Sequence, residues 1–241
     1  MNVVPQRPDY PFAVGRLFHP DGSLRRFGGN AVLYPITSGN PGFAAIGSIQ
    51  GALQQEIFAD RFAFPPAASL HMTVFEGLGD EPHDRAWWPA DMAGKSLREA
   101  TAALAERLKG IEAPSSVRMR PKDLSLDDEK GSVITLEPGD SHEERRLRTF
   151  RDRLSELFGM HRPRHRNEVF QVSLSYLVSW PDAAEDKAIE KAHSALTAHI
   201  GRALSMVEFG PAEFCIYQDA FHFERVLELG SGAAHAGPGH A

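Results

Sequence analysis

The chain has 241 residues, 42% hydrophobic and 24% charged, the balance of a chain with enough apolar material for a sizeable core rather than a disordered polymer. Its formal net charge of −6 argues against a protein that coats nucleic acid non-specifically, because such binding is driven by phosphate neutralisation, yet it leaves room for a local basic site. A single cysteine, Cys215, excludes an internal disulfide framework, and its place between Phe214 and Ile216 predicts a buried, inert thiol.

Residues 1–27, rich in Pro, Arg and Gly, read as an N-terminal extension that wraps the surface or turns around Pro20-Asp21-Gly22, with no chemistry assigned to it. The start carries neither a basic nor an apolar leader pattern and no run reaches membrane-spanning length, so the expectation is a cytoplasmic protein without a membrane partner. Asn30 to Ile36 reads as a first strand. Asn40 and Pro41 then predict a helix start, with Ile46, Ile49, Leu53 and Ile57 at helical spacing.

Ser69 to Glu76 follows as a strand, in which alternation sets His71, Thr73 and Phe75 on one face and Leu70, Met72 and Val74 on the other. The apolar set belongs to a core, so an imidazole and a hydroxyl stand about 7 Å apart on the opposite face. That pair suits proton transfer beside a bound oxyanion such as a phosphate.

Gly77 to Lys95 reads as a long loop in which Trp87 and Trp88 either form a lid or pin the loop to the body. Ser96 with Glu99 forms a capping box for a helix buried through Leu97, Thr101, Leu104 and Leu108. In the strand Val117 to Leu124, Arg118, Arg120 and Lys122 share one face, either as a solvated row or as a phosphate-contacting stripe. Ser132 to Glu137 returns as a strand through a turn at 128–131.

Ser141 with Glu144 predicts another capped helix with Leu147, Phe150, Leu154 and Leu157 inward and Arg145, Arg146, Arg148, Arg151 and Arg153 outward, stopping at Gly159. The basic loop His161 to Arg166 follows. Its two histidines are four apart, but Pro163 between them argues against a helical metal pair, and no metal is expected. Phe170 to Tyr176 then reads as a strand with Gln171, Ser173 and Ser175 on one face; Gln171 lies one hundred residues after His71, and each has a hydroxyl two residues on. Asp182 with Glu185 caps a helix through Ile189, Ala192, Leu196 and Ile200, and three strands near 205–209, 213–218 and 221–226 close the chain. Residues 28–229 therefore form one domain of α+β class, architecturally duplicated, followed by a disordered tail at 230–241.

Two strands bearing His-x-Thr and, a hundred residues on, a hydroxyl at the matching place resemble the two-histidine (2H) phosphoesterases, also called the LigT or 2′,5′-RNA ligase-like group. The likeness is greatest to a branch known as a domain of unknown function, through Gly28-Gly29-Asn30, His71 to Gly77 and Trp88-Pro89. The resemblance implies a bilobal, internally duplicated fold with two antiparallel sheets around a central cleft, one motif in each. It implies phosphodiester chemistry without metal or cofactor on a small nucleotide or RNA-end substrate, cyclic or 2′,5′-linked. His71 matches the first general acid or base, and Thr73 and Ser173 match the phosphate-holding hydroxyls. Gln171 stands where the second histidine belongs. A glutamine amide donates a hydrogen bond but exchanges no proton near neutrality. Three readings follow: a slowed enzyme relying on His71, an enzyme that recruits His165 or His222, or a silent phosphate- or nucleotide-binding module. Arg118, Arg120 and the Arg162 to Arg166 loop are the candidates for extra positive charge.

Overall fold

Nine-residue strand β3 (His71–Gly79) lies at the middle of the molecule and carries the first motif. In this computed structural model, which describes residues 7–40, 42–127, 131–162, 165 and 169–230, nine further strands and five α-helices are arranged around it. In chain order β1 (Gly29–Pro35), α1 (Phe43–Leu53) and β2 (Phe62–Ala63) precede β3. After it come α2 (Pro82–Arg85), α3 (Leu97–Leu108), β4 (Val117–Asp127), β5 (Gly131–Pro138), α4 (Ser141–Phe158), β6 (Phe170–Ser173) and β7 (Tyr176–Leu177). Helix α5 (Ala183–Ala203) and strands β8 (Val207–Phe209), β9 (Glu213–Tyr217) and β10 (Phe223–Glu228) complete the fold.

The α+β class is as the sequence predicts, but the two expected sheets are joined. Eight strands form one sheet in the order β10-β9-β1-β3-β6-β5-β4-β8, every observed pairing antiparallel, and β2 and β7 form a separate pair. The two groups of four strands meet at β3 and β6, through the single register pair Met72↔Val172. One apolar cluster runs through both groups, from Val32 and Met72 to Ile134 and Val172, which removes any separation into independently packed lobes.

Several elements differ locally from expectation for identifiable reasons. Helix α1 starts at Phe43, because Asn40 spends its carboxamide oxygen on Thr37, whose backbone N–H donates to it at 2.7 Å. Pro41 lies outside the described residues, and Ile57, expected on the buried stripe, is past the helix end and 73% exposed. Helix α4 is capped by Asp140 rather than Ser141: its carboxylate accepts from His142 and Glu143 N–H at 2.8 and 2.9 Å. The helix ends as predicted at Gly159, in the left-handed region at φ 66°. Arg151, expected outward, is buried.

Strand β6 stops at Ser173, three residues before the Tyr176 end that the alternation suggests. The Ser132 carbonyl accepts from both Leu174 and Ser175 N–H at 2.8 and 3.3 Å, and Ser175 Oγ in turn accepts from Ser132 N–H at 3.1 Å. Ser175 is thereby buried instead of sharing the Gln171–Ser173 face. The same Ser132 contacts His193 Nε2 of α5 at 3.1 Å through its hydroxyl. The turn at 128–130 and the tail from 231 lie outside the described residues.

Burial holds the His193 imidazole neutral, moving its pKa from 6.5 down to about 4. The unfolded chain therefore binds more protons than the folded one between those values, and stability is full above pH 6.5 and falls as pH drops toward 4. We expect this group to withdraw up to about 3 kcal/mol across that window. Urea denaturation of wild type and His193→Gln at pH 7 and pH 4.5 checks it: the pH-dependent loss should be smaller in the variant by an amount of that order, and equal losses would sink the assignment.

Candidate functional site

A cavity of about 760 Å³ opens above the β3–β6 junction, and His71, Thr73, Gln171 and Ser173 all line it. Because the strands are antiparallel with Met72 opposite Val172, His71 falls beside Ser173 and Thr73 beside Gln171. Each polar side chain thus has a hydroxyl across the strand boundary, and His71 and Gln171 stand diagonally, with Cβ atoms roughly 7–8 Å apart. Met72 and Val172, between them in sequence, are fully buried beneath.

The orientation of His71 is fixed from two sides. Its Nδ1 lies 2.7 Å from the Ser69 carbonyl, and since a carbonyl only accepts, Nδ1 carries the proton in the neutral ring and Nε2 is the basic position. The ring also packs against Phe223 of β10 with centroids 4.3 Å apart. Tyr176 lines the cavity together with Ser173, and burial raises its phenol pKa and keeps it protonated.

Strand β3 does not alternate regularly beyond Thr73. Its register with β1 passes from Leu33↔Thr73 to Val32↔Phe75, so Val74 is an inserted bulge residue, and a second irregularity falls between Ala31↔Glu76 and Gly29↔Gly79. The first bulge lets Phe75 reach the core, where it packs on Phe158 at 5.0 Å, while it still borders the cavity that His71 lines. At the second, Asn30 Oδ1 accepts from Leu78 N–H at 2.9 Å while its amide donates to Thr101 of α3 at 2.9 Å. Gly77 is required there: a Cβ would stand 2.1 Å from that same Asn30 oxygen.

Each irregularity presents a carbonyl to an arginine. Arg151 of α4, only 4% exposed, donates to Val74 O and, through Nη2, to His165 O at 3.2 Å. Arg162 donates to Gly77 O at 3.0 Å and ion-pairs with Glu76 at 3.6 Å. Both arginines line the cavity, as does His165, whose Nε2 meets Asp152 at 2.7 Å. Arg164 and Arg166, the remaining candidates for positive charge in that loop, lie outside the described residues.

Three candidates fall elsewhere. Arg118 and Arg120 stand on the exposed side of β4, paired with Asp140 at 3.3 Å and Glu137 at 3.7 Å, outside the cavity lining; the stripe is a solvated row. His222 is 69% exposed and held by Asp219 at 2.8 Å, also outside the lining. Alternation placed Arg118 and Arg120 on one face correctly but could not say which face the cavity occupies. Trp88 pins its loop, donating from Nε1 to Gly79 O at 2.8 Å, and neither tryptophan of the pair lines the cavity. His161 is occupied by Ser155 Oγ at 2.9 Å. Cys215 is buried, which pushes its thiol up to about 12 and fits an inert role.

Sequence reading assigned nothing to the N-terminal segment, yet Phe12, Arg16, Leu17, Arg25 and Phe27 form part of the cavity wall. Tyr217 of β9 was missed as well; burial, with Glu76 and Asp84 nearby, raises its phenol pKa and keeps it protonated. The sequence trace of its position is Gly29, where a Cβ would collide with the Tyr217 hydroxyl at 2.1 Å.

A protein-family model described as "2H-phosphodiest: Domain of unknown function (DUF1868)" matches residues 17–128. The stretch that carries His71 and Thr73 is a 2H-phosphodiesterase-family domain. The match to this 2H domain ends before β6, so Gln171 and Ser173 enter the site through strand pairing alone. A crystal structure of a conserved protein of unknown function from Agrobacterium tumefaciens is 23% identical, covers 93% of this chain and 95% of its own, and superposes with a TM-score of 0.84, so the fold is shared across both strand groups. A Thermus thermophilus protein is 15% identical over 85% of this chain and 97% of its own, with a TM-score of 0.45. No curated protein matches the chain.

Replacing Arg151 by Met should leave the buried Val74 carbonyl and the part-buried His165 carbonyl without their donor and cost about 2–4 kcal/mol, while Arg145→Met on the exposed face of α4 should change stability by less than about 0.5 kcal/mol. Urea unfolding of the two variants checks this; equal effects would mean that Arg151 is not what ties His165 to β3.

Proposed function

We propose that the protein acts on a phosphodiester, a 2′,3′-cyclic or 2′,5′-linked nucleotide, within the cytoplasm, with His71 as the proton-transfer group and Thr73 and Ser173 holding phosphate oxygens. The observation that carries the reading is the convergence of these three side chains with Gln171 in one cavity beside two arginines. On this reading the four-plus-four strand order reflects an internal duplication, with one motif contributed by each half to a cleft at their junction.

In hydrolysis, water attacks phosphorus while a base takes its proton, and the departing alkoxide takes a proton from an acid. His71, with Nε2 as its basic position, suits the first transfer, and Arg162 or Arg151 would offset the charge that builds on the equatorial oxygens. Gln171 donates a hydrogen bond to phosphate but cannot supply the second proton. The absence of that acid costs about 10²- to 10⁴-fold in rate, least for substrates whose leaving group needs no protonation. The identity of Gln171 is also the observation that favours the second reading, a binding module that holds a phosphodiester without cleaving it. His165 lines the cavity and is the remaining proton carrier for a recruited-histidine enzyme, whereas His222 points away.

Phosphorus NMR of cyclic and 2′,5′-linked nucleotides incubated with wild type, His71→Ala, His165→Ala and Gln171→His separates these outcomes. For an enzyme, turnover should vanish with His71→Ala and rise by about 10²-fold or more with Gln171→His. An inert wild type that nevertheless binds, and that gains turnover with Gln171→His, marks the binding module. Loss of wild-type turnover with His165→Ala would assign the second proton to His165. If no form binds or cleaves any member of the panel, the phosphodiester reading is wrong.

A further inference from the structure

We propose that residues 7–27 are a substrate-selecting wall that confines the cavity to one nucleotide-sized phosphodiester and rejects the same group at the end of a strand; this rests on the phosphodiester reading above.

The segment crosses the cavity mouth from one strand group to the other. On the β6 side, Arg7 stacks over Trp180 at 4.9 Å and pairs with Asp186 of α5 at 3.7 Å, and Trp180 Nε1 donates to Pro8 O at 2.8 Å. On the β1 side, Arg25 bonds both carboxylate oxygens of Glu81 at 3.2 and 3.1 Å, Arg26 donates to the Gln218 side chain at 2.7 Å, and Phe27 N–H donates to Gln218 O at 3.0 Å. Midway, the fully buried Phe18 sits between Tyr176, which follows β6, and Phe221, which precedes β10, at centroid distances of 5.5 and 5.7 Å. Tyr176 lines the cavity together with Ser173, so the anchor of the wall packs on a ring that shares the cavity with a proposed phosphate-holding hydroxyl.

A strand bound by its end needs a path along which the following nucleotides leave the site. A segment tied to both sides of the mouth closes that path, and the remaining space of about 760 Å³ falls in the range of small-ligand sites. The wall chemistry points the same way. Glu76, Glu81, Asp84 and Asp219 line the cavity together with Arg16, Arg25, Arg151 and Arg162, so the walls carry no surplus of positive charge to hold further phosphates. Phe27, Tyr217, Phe223 and the His71 ring form a continuous aromatic row, with successive centroids 5.5, 5.7 and 4.3 Å apart, leading away from the phosphate position. Such a row offers a stacking surface for one planar base.

The test compares dissociation constants, by calorimetry, for 2′,3′-cyclic mononucleotides and for a hexanucleotide ending in a 2′,3′-cyclic phosphate, using full-length wild type, Phe18→Ala and Arg25→Ala. Wild type should bind the mononucleotide tighter by roughly tenfold or more, and Phe18→Ala should narrow that ratio by weakening the mononucleotide and admitting the hexanucleotide. Arg25→Ala removes the ion pair with Glu81 that ties the wall to the β1 side without touching the packed ring, and carries the same expectation if Phe18→Ala fails to melt cooperatively. Equal wild-type affinities, or a ratio unchanged in a folded variant, would overturn the wall while leaving the phosphodiester reading intact. Binding of neither probe to any form would sink both.

Discussion

The pairing of β3 with β6 is the constraint on which the rest of the site depends. Residues a hundred positions apart become neighbours through one register pair, Met72 with Val172. Because side chains alternate with a period of two, a slip of one residue would send His71 or Gln171 into the core and Met72 or Val172 into the cavity. The buried Met72 and Val172 therefore set the register as much as any hydrogen bond does, and the proposed functional face is the other side of that hydrophobic choice.

Around this junction the backbone is irregular in a way that serves positioning. Two bulges in β3 interrupt its ladder with β1, and at each of them an arginine from α4 or the segment after it takes a carbonyl of the strand. Unpaired carbonyls in the interior would be costly, and a guanidinium satisfies them while keeping its charge at the edge of the cavity. The same contacts hold His165 near β3. Asn30 does the equivalent on the other side, joining the second bulge to α3.

The chemistry of the cavity is asymmetric. One proposed motif keeps an imidazole oriented by the Ser69 carbonyl and Phe223, and the other presents an amide. Both hydroxyls are retained, so the geometry for holding a phosphate is more complete than the equipment for moving protons. Positive charge from Arg151 and Arg162 meets carboxylates from Glu76, Glu81 and Asp84 within the same walls, which suits a ligand of limited charge better than a polyanion.

By itself the sequence determined the α+β class, the helices α3 and α5 with their capping boxes, the glycine stop of α4, and the two motif strands, because these follow from local periodicity and capping chemistry. It also determined that His71 and Thr73 share a face, since two residues of regular strand require it. Tertiary structure decided what depends on contacts between distant segments: the single eight-stranded sheet, the bulge at Val74 that packs Phe75 into the core, and the burial of Arg151. It likewise separated cavity-lining residues such as Arg162 and His165 from Arg118, Arg120 and His222, which carry the same charge or ring in the sequence but face solvent. A residue's type and the period of its element are local properties. Which surface becomes a cavity is set only when a second strand and the N-terminal segment arrive to enclose it.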